Sequence, residues 1–149
     1  MAIDLDRVLT AGLLAVLATV VLLLTASCAL KGDEPLADSR WLVMTVNEIP
    51  IVPGRPPLII LGADGTVGGN GGCNDFLGTY QTNSDRLRIG SFGSTLSSCG
   101  DSEAKEFEEI LFGVLRSDPF FELSKDSLRL TSPEGTTVVL HADPVTASS

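Results

Sequence analysis

From Val8 to Leu30 the chain carries no charged side chain, and this run constrains the rest of the sequence more than any other feature. A helix of about 20 apolar residues spans a bilayer. The same kind of run also serves as the apolar core of an export signal. Either way, the residues left to build a folded core in water are those after about Leu30, on the far side of a membrane. The whole chain has 149 residues, so what remains is a single domain.

The end of the run is Thr25-Ala26-Ser27-Cys28. Small side chains before a cysteine suit the shallow pockets of a signal peptidase, and the arrangement resembles a bacterial lipobox, in which the cysteine is acylated and becomes the first mature residue. Two features depart from that pattern. Thr25 stands where Leu is usual, and Asp4 and Asp6 outnumber Arg7 in the leading segment. An uncleaved anchor helix and simple cleavage therefore stay open beside lipidation of Cys28. The lipobox reading divides the chain into a signal peptide (1–27), a tether (28–38), a domain (39–142) and a patternless, disordered tail (143–149). It places the domain in the cell envelope, facing the periplasm or the exterior, with the membrane as partner through a lipid on Cys28. Ala29, rather than Asp, resembles lipoproteins sent to an outer membrane where the host has one.

Charge and composition remove several functions. Ten Lys and Arg face 19 Asp and Glu, a formal net charge of −9. A nucleic-acid partner is excluded, because phosphate binding needs a basic face. His141 is the sole histidine, so a metal site built on several histidines is excluded.

The domain reads as mainly β. Arg40–Val46 is rich in β-branched and aromatic residues, Leu58–Leu61 is a short apolar strand, and Asp64-Gly65 tips a hairpin into Thr66–Gly69. The stretch between Val46 and Leu58 holds Pro50, Pro53, Gly54, Pro56 and Pro57 and reads as a loop. Phe76–Thr82 and the alternating Arg86–Phe92 follow, with a slip near Gly90. Phe107, Ile110, Leu111, Val114 and Leu115 form one helical stripe, with Asp101 or Ser102 as its cap and Pro119 as its stop. Glu108 lies off this stripe and is expected on the solvent side. Phe120–Ser124, Ser127–Thr131 and Thr136–His141 close the domain. Short strands at this spacing with one helix predict a small antiparallel, barrel-like curved sheet with one α-helix packed on it.

Gly68-Gly69-Asn70-Gly71-Gly72 is not a phosphate-binding loop: no Gly-Lys-Ser/Thr follows, and no helix opens after it. It reads as a tight corner of the sheet where positive φ is required. Beyond the corner, Cys73 and Cys99 are the only thiols of the domain. In an oxidising compartment they are expected to form a disulfide, with free structural thiols as the competing reading. No metal or cofactor is expected.

Trp41, Asp64-Gly65-Thr66 and the run Gly71-Gly72-Cys73-Asn74-Asp75-Phe76-Leu77-Gly78-Thr79-Tyr80 resemble the META domain family, which includes HslJ-like heat-inducible lipoproteins of bacteria. Leu87-Arg88-Ile89-Gly90, Thr95-Leu96-Ser97-Ser98-Cys99, Glu106 and Leu128-Arg129-Leu130 extend the likeness over about Arg40 to His141. The resemblance implies a small β domain with one helix, commonly lipid-anchored, and a loose link to stress tolerance, drug resistance, motility and secretion. It carries over no catalytic residue.

Three functions follow as expectations. The first is a non-catalytic envelope lipoprotein with a binding or structural role toward an unknown protein. The second is a carrier that holds an apolar ligand inside the barrel beside Phe76, Phe92 and Phe107. The third is a hydrolase using Asp64, Asp75 or Asp101, disfavoured because scattered carboxylates lack the partners that such chemistry needs.

Overall fold

The computed structural model describes residues 35–51 and 56–144. Cys28 and the expected signal peptide lie outside the described residues. The elements are β1 (Ser39–Val46), β2 (Ile49–Pro50), β3 (Leu58–Leu61), β4 (Thr66–Asn70), β5 (Asp75–Asn83), β6 (Arg86–Ile89), β7 (Gly93–Ser94), α1 (Ser102–Arg116), β8 (Phe120–Ser124), β9 (Ser127–Thr131) and β10 (Thr137–Ala142). The sheet runs β10-β9-β8-β6-β5-β4-β3-β1, every pairing is antiparallel, and β1 also pairs with β10. That last pairing closes the sheet into an eight-stranded barrel, which leaves those eight strands without a free sheet edge to manage.

The interior follows the pleat. Phe76, Gly78 and Tyr80 of β5 point inward while Asp75, Leu77 and Thr79 point out, and Leu128 with Leu130 and Val138 with Leu140 repeat the alternation in β9 and β10. In β1 the inward residues are Trp41, Val43 and Val46. The phase slips there because the β1–β10 register shifts between Val43 and Thr45, a bulge that turns Met44 out to solvent.

Three differences from the sequence reading have clear causes. The proline-rich loop contains β2, joined to β1 by Asn47 and Glu48, both at positive φ (48° and 67°). This is the backbone of a two-residue hairpin turn without the usual Asn-Gly signature. The expected tether 28–38 overlaps the core, since Leu36 is fully buried and the Ser39 hydroxyl donates to its carbonyl. At the other end, the expected disordered tail includes Asp143. That residue is buried, its N–H donates to the Arg40 carbonyl, and its carboxylate pairs with the Arg40 guanidinium at 3.2 Å.

β6 and β8 meet only at Arg86 and Phe120. There the Leu87 N–H donates to the Pro119 carbonyl, and the Arg86 guanidinium stacks over the Phe120 ring at 3.6 Å. The chain between these strands forms α1, which packs on β6, β1 and β10. Asp101 caps its start, accepting from the N–H groups of Glu103 and Ala104 at 3.0 and 3.2 Å. Leu111, Val114 and Leu115 complete the barrel core as expected. The buried arc, however, is rotated from the expected stripe. Glu108 and Phe112 are buried, whereas Phe107 and Ile110 are only half-buried. The expectation that Glu108 faces solvent is therefore corrected.

Candidate functional site

The glycine-rich corner between β4 and β5 is where the helix, the sheet and the loop after β7 converge. The backbone there demands glycine for two separate reasons. Gly69 has φ +145°, and a Cβ on it would run into the Leu58 carbonyl of the neighbouring strand. Gly71 is needed for close approach, since a Cβ there would stand 2.7 Å from both the Glu108 side chain and the Phe112 ring.

That approach lets Glu108 reach the corner. Its Oε2 accepts from the backbone N–H of Cys73 at 3.0 Å and from that of Asn74, and its Oε1 accepts from Asn74 Nδ2 at 2.6 Å. Asn74 in turn uses its Oδ1 to accept from the Thr95 hydroxyl at 3.0 Å and from the Ser97 N–H at 2.6 Å. One carboxyl group and one amide thus tie three chain segments together. Glu108 accepts three hydrogen bonds and the Asn74 side chain donates one and accepts two, so both are engaged by backbone, by each other and by Thr95.

The disulfide between Cys73 and Cys99 lies beside this network, with Cα atoms 5.8 Å apart. It joins the corner to the segment that leads into α1, as expected. A Cys28→Ser chain denatured without reductant should therefore show no titratable thiol. Reduction should lower stability by about 2–5 kcal/mol, and Cys73→Ser alone should cost about as much as the double replacement. Two reactive thiols in the oxidised chain would contradict the bridge.

The carboxylates considered for hydrolysis stand on separate elements. Asp64 accepts from the Thr66 N–H at 3.0 Å and from its hydroxyl at 2.6 Å, closing the β3–β4 turn. The Thr66 hydroxyl, and then its N–H, hold this carboxyl below the usual carboxylate range. The turn contact is thus present above the ordinary Asp pKa and is lost as pH falls through the lowered value. Asp101 is the helix cap, and Asp75 starts β5 on its outer face. Among the described residues no group of three or more His, Cys, Asp or Glu is placed to hold a metal.

The aromatic trio expected inside the barrel is corrected in one member. Phe76 stacks with Phe92 at 5.5 Å, and the edge contacts at 5.4 and 5.2 Å come from Phe112. Phe107 instead borders a small crevice beside Val46 and Ile49. Beside the trio, α1 and the segment Ser94–Ser97 face each other across a cleft of about 520 Å³, with Asn74 and Cys73 at its edge.

Sequence reasoning passed over Phe112, placed Glu108 at the surface, and read Arg116 only as a cation suited to the C-terminal end of the helix. A signal existed for Glu108, whose neighbours three, four and seven residues on are Leu111, Phe112 and Leu115.

The corner falls within the residues that a known family model matches. The model described as META domain matches residues 34–144. The chain belongs to the META domain family. Solved structures agree with this META domain in fold. One determined by NMR has a TM-score of 0.62 at 22% identity, covering 71% of this chain and 91% of that one. Another NMR structure, from Burkholderia xenovorans, has a TM-score of 0.62 at 20% identity and covers 73% and 84% of the two chains. A DUF4847 family protein from Bacteroides vulgatus ATCC 8482 has a TM-score of 0.53 at 18% identity and covers 73% and 95%. A search of curated proteins finds no match. Among the described residues of the META domain, no helix is long and apolar enough to cross a membrane.

Proposed function

We propose that this META domain is a non-catalytic binding or structural module of the cell envelope. In this reading a lipid on Cys28 holds it to the membrane, and it serves envelope stress tolerance or secretion. The observation that carries the reading is the employment of its polar groups. Glu108 and Asn74 are engaged by backbone, by each other and by Thr95, while Asp64 and Asp101 hold a turn and a helix start. An acid–base or nucleophilic site needs such groups aimed at a reacting atom. The interior supports the same reading over an internal carrier. Trp41, Phe76, Tyr80, Leu111 and Leu115 are buried members of one core cluster, and an eight-stranded barrel is narrow enough for side chains to fill.

Native mass spectrometry of the full chain extracted from cells in neutral detergent tests both parts. The expected species is acylated protein with no further small molecule released on denaturation. Cys28→Ser should abolish fatty-acid labelling and leave an uncleaved precursor. Labelling that persists in that variant would end the anchor proposal. A stoichiometric lipid retained apart from the anchor would favour the carrier.

A further inference from the structure

Arg116, the last residue of α1, is a cation without an ion pair among the described residues. Although the chain has 19 acidic and 10 basic residues, no carboxylate meets this guanidinium among the described residues. Arg40, Arg88 and Arg129 each face one, at 3.2, 3.5 and 3.8 Å. The Arg116 guanidinium lies instead over two rings of the aromatic trio, 4.4 Å from the Phe92 centroid and 5.7 Å from that of Phe112. It stands on the wall of the cleft between α1 and the Ser94–Ser97 segment.

The other charged residues of the cleft are Lys105, Glu108 and Glu109. Lys105 precedes Arg116 by eleven residues, which returns it to within about 20° of the same helix face and places it about 16 Å away. Its ammonium is already offset by Glu109 at 3.8 Å. Glu108, the other acid of the cleft, keeps its charge but is held at the corner by three donors, about two helical turns before Arg116. The four charges of the lining sum to zero, and the positive one without an ion pair among the described residues stands at the Arg116 end. On the facing wall Thr95 is committed to Asn74, while the exposed hydroxyls of Ser94 and Ser97 have no partner among the described residues. The walls are held by the disulfide and by the Glu108–Asn74 network, so a ligand orders little protein on binding.

We propose that this cleft binds an elongated polar ligand carrying one oxyanion, a carboxylate or a phosphate. The oxyanion lies at Arg116, and the body runs past Ser94 and Ser97 toward the Lys105–Glu109 pair. A guanidinium is more weakly hydrated than an ammonium, stacks on aromatic faces, and presents paired donors that match two oxygens of a planar or tetrahedral anion. The proposal deepens the reading of the domain as a binding module and is independent of the anchor at Cys28.

Calorimetric titration of the full chain in neutral detergent tests it, with N-acetyl-triglycine, its C-terminal amide and glycerol 3-phosphate as probes. At least one of the two acids should saturate the protein at millimolar concentration, the tighter one identifying the oxyanion, and the amide should bind about tenfold more weakly or not at all. Arg116→Gln should weaken the acid by about tenfold or more, and Arg129→Gln, on the far strands, should leave it unchanged. Ser94→Leu fills the exposed wall of the cleft and should block binding without lowering the melting temperature. It decides the matter if Arg116→Gln does not fold. No saturation by either acid, equal binding of the amide, or full binding by Ser94→Leu would overturn the proposal. Mass analysis of the probes after incubation separates this from the non-catalytic reading. Unchanged probe supports that reading, whereas converted probe overturns it and leaves the cleft assignment standing.

Discussion

Glu108→Ala is expected to destabilise the domain by about 2–5 kcal/mol, as much as Leu111→Ala in the same helix. The two losses arise differently. Leu111 is almost fully buried in the core cluster, and its truncation leaves a cavity lined by apolar neighbours. Glu108 is 4% exposed and accepts three hydrogen bonds, so its removal strands the N–H groups of Cys73 and Asn74 and the Asn74 amide. Each stranded donor costs about 1–3 kcal/mol where water cannot replace the partner. Glu108→Gln should fall between wild type and Glu108→Ala. It can still accept the two backbone N–H groups, but its own amide then faces the amide of Asn74. Equilibrium urea unfolding of the three variants checks the order. A Glu108→Ala loss within about 0.5 kcal/mol, the usual range for a surface position, would show that the corner does not depend on this carboxyl.

Gly69→Ala should be damaging too, by more than about 3 kcal/mol. At φ +145° an L side chain is strained before any contact is counted. The added Cβ also meets the Leu58 carbonyl, which belongs to a ladder pairing Leu58 with Asn70 and Ile59 with Gly69. Relief would need β3 and β4 to part, and those strands also position the corner. Gly113→Ala is the matching control. It lies within α1, where a Cβ meets open space, and should stabilise the chain by up to about 1 kcal/mol. Equal midpoints for Gly69→Ala and wild type would mean that the corner relaxes freely.

The strands were legible because each carries its own period. Leu58–Leu61 matches β3 residue for residue, and Ser127–Thr131 matches β9. The helix and its cap were legible for a similar reason, since Asp101 and the residues after it satisfy local rules. The disulfide was inferred from compartment and count, and the structure pairs those two cysteines. What the pattern misjudged was the helix face. A carboxyl at position 108 reads as solvent-facing because burying it unpartnered is costly, and its partners come from residues 73 and 74, far away in the sequence. The same holds for Phe112, whose ring contacts come from β5 and the segment before β7.

The sequence by itself therefore determined the local elements, the glycine corner and the likeness to the META domain, all of which rest on short-range periodicity and on residues near in the chain. Only the tertiary structure decided that β1 and β10 close the barrel, that Leu36 and Asp143 belong to the domain, and that Arg116 has no ion pair among the described residues. Closure, burial and charge pairing depend on which distant segments meet. A hydrophobic period tells a side chain to leave water, but it does not say which neighbour will receive it.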